Sequence, residues 1–490
     1  MVDDGVGGAI LKITFNGTKA FNANQSETES TTSDQISLTA CVGASGLEAE
    51  YDYSQLGETW STPKIARIPT SSGGSIDTDR YVAILGAGMA KNDACAGSAV
   101  FLVDLEGHVD GKPGSIFGAD VNGGPITIVD TSPNGLTLGS TILATPNGSD
   151  IANAIPASPV VITPDTAPNI PWRGALVYIN DLEGKITKIN LSSNTKGYSG
   201  GDLISGVTKL FDQTTLFNLN ANEDNGRYSY FSMDAGLGLS DGGFWLFGST
   251  GNFTDLGRRT EGLNNILYGI QDEHYPYWKH LNGVTIPSAV TTPGAVPMII
   301  NGDFIKLANK GANDADHISN ATTCVNTSGD SSGSNCPLRT GARAWVSHLE
   351  QDDSNAFIFP RTYRKASAPP TLFKGQVYYP IYQPPPNSNK CDQGNAFICA
   401  ADDECGTNTS ASLDELEFTP VDDEGIAIDN PSDLACGFVR KGVLSELVVF
   451  GDKLYANVAG PSDDESTLFS ILSIPGEIIT NKGGWRDSSF

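Results

Sequence analysis

The chain has few basic residues. Its 490 residues include 30 Lys and Arg against 57 Asp and Glu, which gives a formal net charge of −27. A nucleic-acid-binding protein needs clustered basic side chains to neutralise phosphates, so this composition argues against nucleic acid as a partner. The acidity is compatible with divalent cations, with a saline or extracellular setting, or with solubility alone, and solubility is the simplest explanation.

Histidine is scarce, and no spacing of residues selects a catalytic group. None of the histidines stands in a His-x-x-x-His or His-Glu-x-x-His pattern, and the five are His108, His274, His280, His317 and His348. Ser240 lies in Gly-Leu-Ser-Asp-Gly, which resembles a nucleophile turn, but we interpret it as a turn residue. Carboxylates are abundant, yet nothing in their spacing selects a glycosidase pair. We therefore predict that the protein is not an enzyme.

Long apolar runs and Cys-x-x-Cys motifs are also absent. No segment reaches the roughly 18 apolar residues of a membrane span, so we predict none. Without Cys-x-x-Cys spacing, a zinc ribbon or a covalently bound haem is not expected. Residues 1–8 lack the basic start and apolar stretch of a signal peptide. Because the first residues already resemble the middle of a blade strand, we predict that the chain is a mature or trimmed part of a longer precursor.

What the chain does contain is a unit that occurs twice. Residues 97–107 read GSAVFLVDLEG and residues 174–184 read GALVYINDLEG. In both, a β-rich run from Gly to Asp ends in an Asp-Leu-Glu-Gly turn, which predicts one hairpin of a repeated antiparallel sheet. A strand with a proline at its entrance precedes each unit, at Pro63 and at Pro159. Proline is tolerated at the first residue of a strand.

Weaker copies of this pairing recur downstream, from 368 to 379 and from 444 to 455, and a half-unit spans 8–13. Repeated hairpins with long insertions predict an all-β fold, a modified seven-bladed β-propeller that occupies residues 1–490 as one domain. Within it, we expect a polar insertion at 282–345 and a disulfide-rich insertion at 385–435. An ordinary β-sandwich is the alternative.

The cysteines are even in number and scattered through polar loops, which favours disulfides formed in an oxidising compartment over free buried thiols. The eight are Cys41, Cys95, Cys324, Cys336, Cys391, Cys399, Cys405 and Cys436. Cys324 and Cys336 bracket a segment without apolar side chains except one valine, and closing this loop would contribute about 3 kcal/mol. The sequence predicts that these two are linked.

A second polar loop is predicted around Cys391, Cys399 and Cys405, with Cys436 as a partner from outside it. One further pair follows by elimination, Cys41 with Cys95. For cofactors, the sequence offers only a weak calcium pattern, in which Asn220, Asn222 and Asp224 alternate and a glycine follows. The bidentate glutamate of a calcium loop is missing, and an Asn/Asp-rich hairpin tip explains the same residues without metal.

A family resemblance rests on several short sequence segments that occur in the same order as in the family. Residues 56–68 (LGETWSTPKIARI), 80–88 (RYVAILGAG) and 100–107 (VFLVDLEG) resemble consecutive strands in the C-terminal propeller of PilY-type type IV pilus proteins. Residues 176–189 (LVYINDLEGKITKI) are similar to a strand pair of that family. Three further segments are similar to segments of that family: FWLFGSTGNF at 244–253, LYGIQD at 267–272 and GWRD at 484–487.

The resemblance implies a non-enzymatic protein that is exported through the periplasm and located at the tip of the pilus. Its expected partners are minor pilins and a host or abiotic surface, and its expected roles are to support pilus extension against retraction and to contribute to adhesion. The alternatives are a quinoprotein-like dehydrogenase, which uses related blades around pyrroloquinoline quinone, and a glycan-binding extracellular propeller. A glycan-binding propeller predicts an exposed aromatic cluster, for which Trp172, Trp245, Trp278 and Trp345 are candidates.

Overall fold

The structure is a computed structural model that describes most of residues 49–127, 154–279, 362–406 and 435–473, with 344–349 and short strands elsewhere. The longer gaps inside these ranges are 72–75, 90–96, 108–110, 118–123, 165–171, 222–225, 239–241, 386–392 and 461–467. The described residues contain no α-helix, and short 3-10 helices lie at Ala49–Tyr51, Ile76–Thr78 and Phe253–Asp255. Accordingly, no helix in this part of the chain is long and apolar enough to cross a membrane.

Five sheets, which we name A to E, follow one another along the described residues. Sheet A is ordered Lys64–Ile68, Arg80–Gly86, Ala99–Asp104 and Ile126–Thr127. Sheet B is ordered Val160–Ile162, Gly174–Asn180, Lys185–Ser192, Gln213–Asn218, Ile305–Leu307 and Ile318–Ser319. Sheet C is ordered Asp234–Leu237, Phe244–Ser249, Ile266–Asp272, Ala344–His348 and Thr322–Thr323.

In sheet D, Lys365–Ala366 and Thr371–Phe373 both pair with Gln376–Gln383, and Asn395–Asp402 and Ala435–Lys441 follow. In sheet E, Val443–Leu444, Val448–Phe450 and Leu468–Ser473 all pair with Lys453–Ala459. Smaller pairings join Val2–Asp3 to Ala9–Ile10, Gln35–Ile36 to Ile142–Leu143, and Lys196–Ser199 to both Asp202–Ser205 and Trp278–Lys279.

Successive side chains of one strand pack against two different neighbouring sheets. In the strand Gly174–Asn180, Ala175 and Val177 lie in a core shared with sheet A, whereas Leu176 and Tyr178 lie in a core shared with sheet C. Side chains alternate between the faces of a strand, so a strand buried on both faces is apolar throughout. This explains why the repeated units are continuous hydrophobic runs without polar alternation.

The same alternation continues through the later sheets. Leu246 of sheet C faces sheet B, while Trp245 of the same strand faces sheet D. Tyr379 of sheet D faces sheet C, and Tyr378 faces sheet E. The five sheets are therefore stacked face to face in chain order, as the blades of a propeller are. The predicted all-β, propeller-like fold class is confirmed, and a two-sheet sandwich does not describe it; the seven-blade count stays a prediction.

The first strands of neighbouring sheets lie side by side. The Asp234 carboxylate accepts a hydrogen bond from the Leu372 amide at 2.6 Å, which links the first strands of sheets C and D. The Thr371 hydroxyl donates to the Leu447 carbonyl at 3.2 Å, which links sheet D to sheet E. These contacts are those expected of inner strands arranged around a propeller axis.

Both predicted Asp-Leu-Glu-Gly turns reverse the direction of the chain, the second as a direct hairpin and the first through a longer connection. After the second unit, Gly174–Asn180 pairs directly with Lys185–Ser192, and the Asp181 carboxylate accepts from the Lys185 amide at 2.9 Å. After the first, the chain returns so that the amide of Phe117 donates to the Leu102 carbonyl. The last glycine of each turn has a positive φ, 76° at Gly107 and 77° at Gly184, which other residues rarely adopt.

The predicted strand positions need two corrections. The run 444–450 is divided into Val443–Leu444 and Val448–Phe450, because the Ser445 side chain and backbone both bond to Asn457. Cys399, which was predicted to lie in a loop, lies in the strand Asn395–Asp402 of sheet D. Most of the predicted insertions at 282–345 and 385–435 lies outside the described residues.

Candidate functional site

The three residues that the sequence proposed for calcium binding, Asn220, Asn222 and Asp224, all lie outside the described part of the chain. Calcium binding there stays a prediction. Within the residues that the structure does describe, no group of three or more His, Cys, Asp or Glu is arranged to hold a metal ion. Ser240 is also outside them, but Gly238 and Gly243 around it are hydrogen-bonded as a hairpin turn.

One disulfide is present among the described cysteines. It joins Cys399 to Cys436, which lie opposite each other in neighbouring strands of sheet D. The remaining predicted disulfide cysteines lie outside the described residues, and they are Cys41, Cys95, Cys324, Cys336, Cys391 and Cys405. A link across 37 residues of sequence would contribute about 4 kcal/mol in the chain-entropy account, which makes it a main constraint on sheet D.

The most polar cluster in the core joins sheets B and C. The Lys188 ammonium donates to the Asp272 carboxylate at 2.5 Å and to the Tyr277 carbonyl at 2.8 Å. The Tyr178 hydroxyl donates to the same carboxylate at 2.9 Å, and the amide of His274 donates to its other oxygen at 3.2 Å. The carboxylate thus receives three donors, which a buried charge requires.

This cluster is closed to solvent. The side chains of Lys188 and Asp272 are 0% and 2% exposed, and Tyr178 is fully buried. Burial lowers the pKa of Lys188, opposed by the Asp272 charge, while burial and the same charge raise the pKa of Tyr178 well above its ordinary value. Because no substrate can reach these groups, their role is to tie sheet B to sheet C.

A short hairpin stands on the surface above this cluster. We name it the exposed hairpin, and it consists of Lys196–Ser199 and Asp202–Ser205. All four residues of its second strand are exposed, with Leu203 at 46% and Ile204 at 38%. The ring of Tyr198 lies 4.6 Å from that of His274 and 6.2 Å from that of Tyr277, centroid to centroid. These three rings are half-buried and form an aromatic cluster. The exposed Leu203 is paired directly with Tyr198 and shares its face of the hairpin, whereas Ile204, paired with Gly197, projects from the other face.

Buried amides fix the base of the exposed hairpin. The Asn190 side chain donates to the Thr208 hydroxyl at 2.8 Å and accepts from Ser192. Asn194 accepts from the Lys196 amide at 3.0 Å and donates to the Pro276 carbonyl at 3.2 Å. A satisfied buried polar network holds one arrangement of the chain, so the exposed hairpin is presented on a rigid base.

The tryptophans named for glycan binding are largely internal. Trp172, Trp245 and Trp345 are buried, at 5%, 1% and 0% exposed. Trp278 lies in a short strand beside the exposed hairpin. Trp60, by contrast, is 64% exposed. The exposed aromatic side chains of the described residues therefore include Trp60, Tyr81, Phe253 and Phe450 and exclude three of the four expected tryptophans.

An acidic turn follows the strand that carries Cys399. Asp402, Asp403 and Glu404 are consecutive, and the Asp403 carbonyl accepts a hydrogen bond from the buried Trp345 indole at 2.9 Å. Burial, reinforced by the neighbouring charges of Asp402 and Glu404, raises the pKa of Asp403 from 3.8 to about 7. The folded protein therefore favours the protonated form of this carboxyl.

We expect Asp403→Asn to stabilise the protein at pH 8 by about 1–2 kcal/mol and to have little effect at pH 4. Between these values the unfolded chain ionises Asp403 before the folded chain does, so wild-type stability falls as pH rises through this window. The full shift would represent about 4 kcal/mol, and partial solvent screening reduces it. Urea unfolding at both pH values measures the difference. Asp202→Asn on the exposed hairpin is the matched control, and equal effects of Asp403→Asn at both pH values would contradict the expectation.

The sequence did not identify the exposed hairpin or the buried ion pair. The hairpin segment is rich in Ser, Asn and Gly and carries no apolar alternation. Lys188 and Asp272 are 84 residues apart, and no motif connects them. A lysine in the interior of the apolar run KITKI was the one available signal, because a strand buried on both faces must give that ammonium a buried partner.

No protein-family model and no curated protein matches this chain. Among solved structures, the crystal structure of the Pseudomonas aeruginosa PilY1 C-terminal domain is similar to it, with 12% sequence identity and a TM-score of 0.41. The alignment covers 86% of this chain and 74% of that one.

Proposed function

We propose that this protein is a type IV pilus tip or biogenesis factor of the PilY type, which acts by binding and not by catalysis. The supporting observation is that the sequence segments that resemble PilY-type proteins form adjacent strands in three successive sheets. Residues 56–68, 80–88 and 100–107 contribute the first, second and third strands of sheet A. Three consecutive segments of the sequence thus form three adjacent strands of one blade.

The same holds in the next two sheets. Residues 176–189 contain the two central strands of sheet B, which pair with each other. Residues 244–253 and 267–272 provide the adjacent strands Phe244–Ser249 and Ile266–Asp272 of sheet C. Short segments that resembled the family only by chance would not be expected to form equivalent paired strands in successive sheets. Their positions therefore support the proposed family assignment.

Three further features are in keeping with this role. The disulfide between Cys399 and Cys436 is of the kind formed in exported proteins. The cluster of charged and hydroxyl groups around Lys188 and Asp272 is buried in the core. The exposed hairpin instead offers an aromatic and aliphatic surface on a rigid base, and aromatic side chains are enriched where proteins bind each other. We propose that this surface contacts a minor pilin at the filament tip.

A pair of substitutions in the host tests the contact. Leu203→Lys with Ile204→Lys should reduce surface pili at least fivefold when it replaces the wild-type gene, because two charges would have to be desolvated in the contact. Both side chains are already exposed, so the melting temperature of the purified protein should change by less than about 2 °C. Surface pili are counted by electron microscopy or measured after shearing.

The matched control is Leu237→Lys, at another exposed leucine on sheet C. It should leave piliation unchanged. Full piliation with the hairpin variant, in cells that contain normal amounts of it, would exclude the exposed hairpin as the contact without excluding the pilus function itself.

A further inference from the structure

The second strand of the exposed hairpin, Asp202–Ser205, lies at the edge of its sheet. The strand Lys196–Ser199 separates it from Trp278–Lys279, and among the described residues no strand pairs with its outer side. All four of its residues are exposed. Within the part of the chain that the structure describes, its outer edge is therefore open to solvent along its whole length.

The register of the hairpin shows which backbone groups point toward this edge. The Gly206 amide donates to the Thr195 carbonyl at 2.8 Å, so these two residues form a hydrogen-bonded pair. In an antiparallel ladder such pairs alternate with pairs that exchange no hydrogen bonds. Because the register is unbroken, Ile204 directs its N–H and C=O groups to the inner strand, whereas Leu203 and Ser205 direct theirs outward.

The outward groups have no hydrogen-bond partner among the described residues. The amides and carbonyls of Leu203 and Ser205 provide two donors and two acceptors in one row, with about 7 Å between the two residues. Natural edge strands are often protected by lysine, proline or a β-bulge. Asp202–Ser205 contains none of these, and its one charge lies at its first residue. This edge therefore retains the hydrogen-bonding pattern that another strand requires.

The side chains beside this edge favour an apolar residue in an added strand. Leu203 is opposite Tyr198 in a pair that exchanges no hydrogen bonds, and side chains approach each other most closely in such pairs. The Tyr198 ring contacts the rings of His274 and Tyr277. Residues opposite each other share a face, so a residue paired with Leu203 from outside would project on the side of this aromatic cluster.

Charge favours a separate partner over a second copy of this chain. Each copy has a formal net charge of −27, so two copies repel each other. The one charged side chain of the edge strand is that of Asp202. Opposite charges directly across from each other on neighbouring strands are stabilising. An added strand with a lysine or arginine opposite Asp202 therefore fits this edge.

We propose that the partner of the exposed hairpin adds a strand to Asp202–Ser205, with an apolar side chain opposite Leu203 and a lysine or arginine opposite Asp202. The outward backbone groups of Leu203 and Ser205 provide the hydrogen bonds, and the side-chain positions provide the specificity, as in other cases of strand addition. This inference rests on the proposed function, because it specifies how the pilus partner binds the exposed hairpin.

Ser205→Pro tests the backbone contact. Proline removes the outward amide but none of the hydrogen bonds within the hairpin, and it is tolerated on an edge strand where the N–H faces solvent. The melting temperature should change by less than about 3 °C. Surface pili should fall about fivefold or more when the variant replaces the wild-type gene, because proline on an edge blocks pairing. Ser205→Ala, the matched control, keeps the amide and should leave piliation unchanged.

Two results with these variants would overturn the strand addition. One is full piliation with a folded Ser205→Pro variant. The other is an equal loss with Ser205→Ala, which would mean that the hydroxyl makes the contact. If Leu203→Lys with Ile204→Lys reduces piliation and Ser205→Pro does not, the exposed hairpin binds through its side chains alone, and the proposed function stands while this inference fails.

Amide hydrogen exchange in the wild-type protein keeps the test decisive if the proline variant does not fold. The amides of Leu203 and Ser205 should exchange about tenfold or more slowly in sheared pili than in the purified protein. The Gly206 amide, which already donates to Thr195, should slow less and is the internal control.

Equally fast exchange of both amides in sheared pili would overturn the inference. So would protection that appears in the purified protein when its concentration is raised, because a second copy would then occupy the edge. Absence of the protein from sheared pili would contradict the proposed function and this inference together.

Discussion

Lys188→Ala is expected to lower the free energy of unfolding by about 3–5 kcal/mol, because it leaves the Asp272 carboxylate buried without its counter-ion. Tyr178 and the amide of His274 would still donate to that carboxylate, but neither carries a charge. The loss should appear in urea unfolding as a lower midpoint with an unchanged slope. Lys196→Ala, at an exposed lysine on the hairpin, should change stability by less than about 0.5 kcal/mol.

Removing both charges distinguishes an unpaired carboxylate from lost packing. Lys188→Met with Asp272→Leu should recover at least half of the loss, since apolar side chains of similar size often replace a buried ion pair without penalty. A loss below about 1 kcal/mol for Lys188→Ala would contradict the described link between sheets B and C. A double variant no more stable than Lys188→Ala would mean that lost packing and hydrogen bonds, and not the unpaired charge, account for the effect.

The blade architecture could be predicted because its signals are local. The Asp-Leu-Glu-Gly turn lies within a few residues of both strands it joins, and the structure forms it at Asp181 through the Lys185 amide. Apolar runs without alternation indicate strands buried on both faces, as Gly174–Asn180 is. Turn chemistry and periodicity require no knowledge of which strands become neighbours.

The features that could not be predicted depend on contacts between distant parts of the chain. The pairing of Lys188 with Asp272 exists only because sheets B and C stack with these residues aligned. Cys399 was expected in a loop, because its neighbours Cys391 and Cys405 and the polar residues around them outweighed the apolar stretch NAFICAA. Its true place in a strand follows from pairing with both Tyr379 and Cys436 across sheet D.

Deleting the gene for this protein is expected to remove most surface pili, at least tenfold relative to the parent strain, and to reduce surface attachment accordingly. A tip factor acts by stabilising an assembly against retraction, so inactivating retraction in the deletion strain should partly restore pili. Complementation with His348→Ala should restore them fully, because no catalytic histidine is proposed and this residue lies in a strand of sheet C away from the exposed hairpin. Failure of that variant despite normal folding would contradict the non-enzymatic mechanism.

The count of surface pili in the deletion strain, with and without active retraction, decides whether this protein acts in pilus assembly. We expect few pili when retraction is active and an intermediate number when it is not. The same strain should regain normal piliation when the wild-type gene is supplied. Normal numbers of pili and normal adhesion in the deletion strain would contradict the pilus assignment itself.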